Sequence, residues 1–269
     1  MGIKHDFHLH SDFSGDCETP AKRMIERAIS LGLDGICFTE HHDLDVPSDI
    51  EFFVDFDRYF AEMQQLRENY KNQIQIQIGV EFGIQKHLAP VLQELIQKYP
   101  FDFVIASQHF VNNEDPYYPA FFEGRSERES YELFFREQLE TLTHFKDFNT
   151  LGHMDYVVRY GPNQNKYYHY ETYADYIDPI LKYLIENGKC LEVNTGGYKY
   201  KLGETNPSSE VLKRYRELGG ELITLGSDAH VPEYLCYEFD RAQDMLLSLG
   251  FKYYTVFEQR TPFFIPLDN

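Results

Sequence analysis

The sequence predicts an α/β protein whose parallel strands close into a barrel, and three observations carry that expectation. Strand-like and helix-like segments alternate seven times along 269 residues, with no low-complexity stretch or linker between them. Right-handed crossovers would then place every helix outside and every strand C-terminus on one rim. Histidines and carboxylates gather at the predicted strand ends, the rim where barrel enzymes carry their chemistry. A doubly wound open sheet is the competing topology. At this length one barrel domain accounts for residues 1–269.

Strand 1 covers about 3–10. In Asp6-Phe7-His8-Leu9-His10, period-two alternation at about 3.3 Å per residue puts His8 and His10 on one face, about 7 Å apart. Asp6 would stand behind them, with Phe7 and Leu9 on an apolar layer. Pro20 sits in the first turn of a helix over 21–31, where its missing N–H costs nothing, and Gly32 ends it. Strand 2, 35–39, leads to Glu40-His41-His42-Asp43. A helix over 51–71 carries Phe52, Phe53, Phe56, Tyr59, Phe60 and Met63 as a stripe for helix-to-barrel packing.

Strand 3 alternates cleanly. Ile74, Ile76, Ile78 and Val80 belong to one face, and Gln75, Gln77, Gly79 and Glu81 to the other. A helix over 88–99 and strand 4, 103–109, follow. The aromatic, acidic segment 111–126 reads as a loop over the site. Helix 127–146, strand 5 (150–155), a loop over 156–169 with Arg159 and Lys166, helix 170–187, strand 6 (190–195), helix 208–218, strand 7 (222–230) and helix 239–249 complete the series. Residues 253–257 suit a further short strand without an assigned place.

Composition excludes several roles. With 25 basic and 44 acidic side chains the formal charge is −19, which repels polyanions and leaves no basic stripe for nucleic acid. The chain has neither a long apolar run nor a signal-peptide pattern, so no membrane partner is expected and a cytoplasmic location is. Cys17, Cys37, Cys190 and Cys236 show no C-x-x-C pairing and read as thiols in a reducing compartment.

Of eleven histidines, seven fall at predicted strand ends: His8, His10, His41, His42, His109, His153 and His230. Any one could be a solvated or core residue, but the set has no such reason to gather on one rim. Asp16, Glu81 and Asp228 add carboxylates, giving the ligand mixture that suits Zn, Fe or Mn. So many ligands exceed the need of one ion. About three divalent ions, bridged by Glu81 and by a hydroxide, fit the count.

These motifs carry a resemblance. Asp6-Phe7-His8-Leu9-His10-Ser11, Thr39-Glu40-His41, Gly79-Val80-Glu81, Ser107-Gln108-His109-Phe110, Gly152-His153-Met154-Asp155 and Ser227-Asp228-Ala229-His230 resemble, in order, the motifs of the PHP (polymerase and histidinol phosphatase) superfamily. Within it the chain is similar to the histidinol-phosphate phosphatases. The resemblance implies a distorted (β/α)7 barrel holding three divalent transition metals. Its ligands would be His8, His10, Asp16, His41, Glu81, His109, His153, Asp228 and His230. Position matching selects His41 over His42, and family spacing selects Asp16 over Asp12.

The implied reaction is hydrolysis of L-histidinol phosphate, a small phosphate ester, with another phosphate ester or a C–N bond as alternative substrates. A binding module without turnover would be expected to have lost ligands. His42, Asp43 and Asp155 are candidates to protonate the leaving group, His42 first because its ordinary pKa lies near working pH; equally, His42 could simply hydrogen-bond a ligand. Arg159 offers a planar fork for phosphate, and its replacement by Met is expected to leave stability unchanged. Lys199 is a second phosphate candidate, though it reads more readily as a solvated loop charge. Asn194 would bond substrate or a group behind it. Glu114, Asp115, Tyr117, Tyr118 and Phe121 could receive the ammonium and imidazole.

Overall fold

The computed structural model describes residues 2–46 and 52–268. Seven parallel strands stand side by side in chain order: β1 (His5–Leu9), β2 (Gly35–His42), β3 (Gln75–Gly83), β4 (Phe103–Ser107), β5 (Thr150–Leu151), β6 (Cys190–Asn194) and β7 (Ile223–Gly226). His10 N donates to Ala229 O at 2.9 Å and Asp228 N to His8 O at 2.8 Å, which joins the last strand to the first. The sheet is therefore a nearly closed barrel and not an open one. No helix among the described residues is long and apolar enough to cross a membrane.

The connecting helices are α1 (Ala21–Ser30), α2 (Phe56–Tyr70), α3 (Ala89–Lys98), α4 (Glu127–His144), α5 (Tyr170–Glu186), the short α6 (Gly196–Lys199), α7 (Ser209–Glu217) and α8 (Phe239–Ser248). Local chemistry sets their starts. Asp55 caps α2 by accepting from Arg58 N, and Ser126 with Glu129 forms a reciprocal capping box on α4. The expected helix over 51–71 thus begins later, at Phe56; Glu51 lies outside the described residues. Phe56, Tyr59, Phe60 and Met63 pack inward as expected, while Phe53 precedes the helix and is exposed.

Strand register sorts the side chains. Ile76, Ile78 and Val80 pair with Ile36, Phe38 and Glu40, and the apolar members of this outer face join the helices in one core. Cys37, His41, Glu81, Ile105, Thr150, Cys190, Glu192 and Thr224 belong to the lumen face. Burying a large apolar side chain stabilises by about 1.5–3 kcal/mol, so the outer core holds the barrel's shape and leaves the lumen free for polar groups.

β1 departs from simple alternation. Asp6 pairs with Ile36 and Leu9 with Phe38, so three steps on β1 oppose two on β2. This bulge turns both Phe7 and His8 into the lumen. Phe7 packs there with Cys37, Phe103, Ile105 and Cys190. Asp6 lies outside instead of behind the histidines and accepts from Ser227 N (3.0 Å), Ser227 Oγ (2.5 Å) and Cys236 N (3.0 Å). The expected faces of Asp6 and Phe7 are corrected accordingly; that of Leu9 stands.

β5 is shorter than the expected 150–155. The chain leaves the sheet at Gly152, where a Cβ would come within 2.3 Å of Ser107 Oγ. The tail forms an antiparallel hairpin, β8 (Tyr253–Glu258) and β9 (Thr261–Pro266). Its Phe257 ring lies 5.1 Å from Phe103, which meets Phe7 at 5.4 Å, so the hairpin plugs the N-terminal end of the barrel. The opposite end is left open.

Candidate metal centre

Glu81 stands at the centre of the open rim, fully buried, because it closes the lumen face of β3. Its Oε1 accepts from Ser107 Oγ (2.6 Å) and lies 2.9 Å from His153 Nε2 and 3.3 Å from His109 Nε2. Its Oε2 lies 2.9 Å from His41 Nδ1, 3.1 Å from His8 Nε2 and 3.6 Å from His10 Nε2. One carboxylate thus faces five imidazoles. Burial opposes ionisation of Glu81, but His8, His41 and His109 outweigh it and hold the carboxyl well below its usual range.

Two further carboxylates flank this group. Asp228 takes a left-handed backbone (φ 56°), which Asp tolerates, and its Oδ1 sits 3.5 Å from His10 Nε2 and 3.8 Å from both His8 Nε2 and His230 Nδ1. Asp16 Oδ2 is 3.2 Å from His230 Nε2 and 3.7 Å from His41 Nε2. All nine residues expected as ligands therefore converge on one volume. Four sets of ligand atoms each lie within 4.8 Å: His8–Glu81–His153, His8–His10–Asp228, His41–Glu81–His109 and His10–His41–His230.

The residues fit divalent metal. His8 Nε2, His10 Nε2, His41 Nδ1 and Glu81 Oε2 are buried, point at one another and have no hydrogen-bond partner. Buried polar atoms are ordinarily paired, and leaving several unpaired together is costly. Cations among them would resolve the deficit with the nitrogen and oxygen donors that Zn, Fe and Mn accept.

A second layer orients the imidazoles. Glu192, on the lumen face of β6, accepts from His8 Nδ1 at 2.5 Å and from His153 N at 2.6 Å. This approach needs Gly226 opposite, since a Cβ there would lie 2.2 Å from His8 Cβ. Asp43 Oδ1 accepts from His109 Nδ1 at 2.7 Å. Glu192 was not anticipated from sequence, although its period-two spacing from Cys190 and Asn194 offered the signal.

The cluster opens into a cavity of about 620 Å³ lined by Asp16, His41, His109, His153, Asp228 and His230 on one side. Arg159 also lines it, as do Lys199, Asp115, Tyr117, Tyr118, Tyr156, Tyr160 and Tyr200. Arg159 is no free loop charge. Its Nε donates to Asn206 Oδ1 (2.9 Å), Nη1 to Asp228 Oδ2 (3.0 Å) and Nη2 to Asn194 Oδ1 (3.0 Å), and its guanidinium stacks 4.7 Å from the Tyr200 ring centroid. Lys199 has no carboxylate partner among the described residues and rests near Tyr234 and Tyr200.

Several expected roles change. His42 pairs in register with Phe82, on the outer face, where its ring packs on Phe53, Phe56 and Phe82 and Nδ1 accepts from Val54 N. Burial pushes its pKa down to about 4, so it is a neutral core residue facing away from the cavity and not the leaving-group acid. Asp155 likewise points away. It accepts from Asn206 Nδ2 (2.6 Å) and Ser208 N (3.0 Å), and burial raises its pKa to about 7 despite those bonds. It holds Asn206, which holds Arg159. Asn194 spends its amide on Arg159, Gly196 N, Glu192 and Asp228, so it serves protein groups and not the substrate. Of the three acid candidates only Asp43 lines the cavity. Glu114 pairs with Arg125 and Phe121 is buried beneath that arginine, which removes both from the mouth.

The profile of the PHP domain matches residues 6–196. The chain belongs to the PHP family. A histidinol-phosphatase of Lactococcus lactis subsp. lactis is 33% identical to this PHP chain over 249 residues, 92% of each. A probable histidinol-phosphatase of Clostridium acetobutylicum is 34% identical over 250 residues, 92% of this chain and 94% of the relative. Among solved structures, histidinol phosphate phosphatase from Lactococcus lactis, complexed with Zn, L-histidinol and phosphate, superposes with a TM-score of 0.90 at 32% identity, covering 97% of this chain and 98% of that one. The (β/α)7 architecture of this PHP protein is thus shared with an enzyme that binds metal and both products of phosphate-ester hydrolysis.

Proposed function

We propose that residues 1–269 form a single PHP-type metallophosphatase domain that hydrolyses L-histidinol phosphate to L-histidinol and phosphate. One observation carries the reading: the unpartnered ligand atoms around Glu81 belong to a cluster whose outer members, His41, His109, His153, Asp16, Asp228 and His230, line the same cavity as Arg159. The similarity to a phosphatase complexed with Zn, L-histidinol and phosphate supports it. His8, His10, Asp16, His41, Glu81, His109, His153, Asp228 and His230 would hold the ions. When bound, divalent cations lower the pKa of water toward neutrality and offset charge on the ester's non-bridging oxygens.

The chain's own groups do the rest. Arg159 has N–H groups beyond the three engaged by Asn206, Asp228 and Asn194, and these offer phosphate a charge-assisted contact. Lys199 adds a second positive charge to the cavity lining. Asp115 lines the cavity and, among the described residues, its carboxylate accepts from Tyr117 N alone, so it suits the substrate ammonium, and the lining tyrosines suit the imidazole. Asp43, which accepts from His109 Nδ1 and lines the cavity, is the remaining acid candidate for exchanging a proton with the leaving oxygen. Cytoplasmic operation belongs to this reading, since all four cysteines are free and buried.

A panel of phosphate monoesters and amide-type substrates, assayed with metal-stripped and metal-reloaded protein, tests the reading. L-histidinol phosphate should give the highest kcat/KM, only after reloading. A decisively better substrate lacking the imidazole would reassign the enzyme within the family.

A further inference from the structure

Behind His10 lies a buried hydrogen-bond chain that the assignment above does not use. Ser14 Oγ donates to Glu40 Oε2 at 2.6 Å, Ser11 Oγ donates to Glu40 Oε1 at 2.6 Å, and Ser11 N donates to Glu40 Oε2 at 2.9 Å. His41 N donates to Ser14 Oγ at 3.0 Å, and His10 Nδ1 lies 3.1 Å from the same oxygen. Glu40, Ser11, Ser14 and His10 are all buried, so water does not compete. Glu40 points away from Glu81, because it pairs in register with Val80 on the outer face of β2.

The proton directions follow from counting donors and acceptors. A hydroxyl has one proton and two lone pairs, and an ionised carboxylate only accepts; burial opposes ionisation of Glu40, but the hydrogen bonds from Ser11 and Ser14 aim donors at both of its oxygens and favour that form. Three donors converge on Glu40, so the single Ser14 proton is directed to it. The His41 amide is necessarily a donor and takes one lone pair of Ser14. The remaining lone pair faces His10 Nδ1 and can only be satisfied by an N–H there. His10 must then carry its proton on Nδ1 and keep a lone pair on Nε2, the atom that is buried without a partner 3.5 Å from Asp228 Oδ1.

We propose that Ser14, oriented by Glu40, is a positioning residue that fixes His10 in the Nδ1–H tautomer and so keeps Nε2 available to a metal ion. The inference rests on the metal-centre reading. His8 and His109 have their Nδ1 protons held by the carboxylates of Glu192 and Asp43. At His10 a hydroxyl performs that task, and its own direction is set one bond further out. The same oxygen also receives the His41 amide, so one side chain ties the loop after β1 to the end of β2 and aligns two proposed ligands.

The test joins spectroscopy to metal binding. In nitrogen-15 histidine spectra of chelated parent protein, His10 should appear as the Nδ1–H tautomer. Ser14→Ala should give a mixed or Nε2–H signal and bind Zn about 10- to 100-fold more weakly in chelator competition, the range for groups that orient a ligand. Ser14→Thr keeps the hydroxyl and should restore both. A parent His10 in the Nε2–H form overturns the proposal even if the alanine variant fails to fold. Unchanged tautomer and Zn affinity in Ser14→Ala also overturn it. A parent that binds no Zn at all would instead overturn the metal-centre reading, which separates the two failures.

Discussion

His8 Nδ1 and Glu192 Oε1 lie 2.5 Å apart inside the barrel, with neither side chain reached by solvent. The bulge in β1 brings His8 there, and Gly226 leaves the room. Glu192→Gln keeps the shape but weakens a charge-assisted bond and the basicity it lends to the imidazole. Zn affinity should fall by about 10- to 100-fold in chelator competition. An affinity equal to the parent's would show that Glu192 is only packing.

Arg159→Met should lower kcat/KM for phosphate esters by about 10- to 100-fold, the loss of one charged hydrogen-bonding contact of roughly 1.5–3 kcal/mol. The structure adds an effect that the sequence did not suggest. Arg159 is buried and paired with Asp228, so the variant leaves a buried carboxylate unbalanced, and the metal-free protein should unfold about 3 kcal/mol more easily. Denaturant midpoints of stripped and loaded protein check this; metal should recover part of the loss by neutralising Asp228.

The difference between those two expectations shows what was legible in the sequence. Alternation in β3 identified the faces of Ile76, Ile78, Val80 and Glu81, because a strand with one polar and one apolar side has a single stable register. The strand-end histidines likewise located the rim. The β1 bulge was not legible, since it is fixed by pairing with β2 and not by anything within Asp6-Phe7-His8. His42 was misassigned by ending strand 2 at Thr39; continuing the alternation two residues puts His41 inward and His42 outward. Arg159 was legible as a phosphate fork, but its burial and pairing were not, because its partners, Asn194, Asn206 and Asp228, come from distant parts of the chain.

The hairpin plug predicts a stability effect far from the rim. Phe257→Ala removes the ring that covers Phe103 and opens a cavity beneath the lumen, which should destabilise by about 3–5 kcal/mol. Metal content and kcat at low temperature should stay near the parent's. A denaturant midpoint close to the parent's would mean that β8 and β9 merely rest on the barrel.

Acid should loosen the same end. His5 Nδ1 is hydrogen-bonded to the Tyr254 hydroxyl at 2.8 Å, and burial lowers its pKa below the ordinary 6.5, opposed by Asp34. The folded state therefore binds the proton less readily than the unfolded chain. Stability is fully present above about pH 6.5 and falls as pH drops from there toward the lower folded pKa. His5→Phe should flatten that part of the profile relative to parent, measured on chelated protein so that metal release does not contribute. Parallel profiles would remove His5 from the account.

Titrating Zn into stripped protein while following phosphate release from L-histidinol phosphate, with Glu81→Ala run alongside, tests whether ions held around Glu81 drive ester hydrolysis. The parent rate should rise until about three equivalents are bound, the number suited to a ligand set bridged by Glu81. Glu81→Ala should stay folded, because Ile76, Ile78 and Val80 still pack on the outer face, yet hold less Zn and release no phosphate. Full parent activity at one equivalent or fewer, or a metallated and active Glu81→Ala variant, would contradict the account.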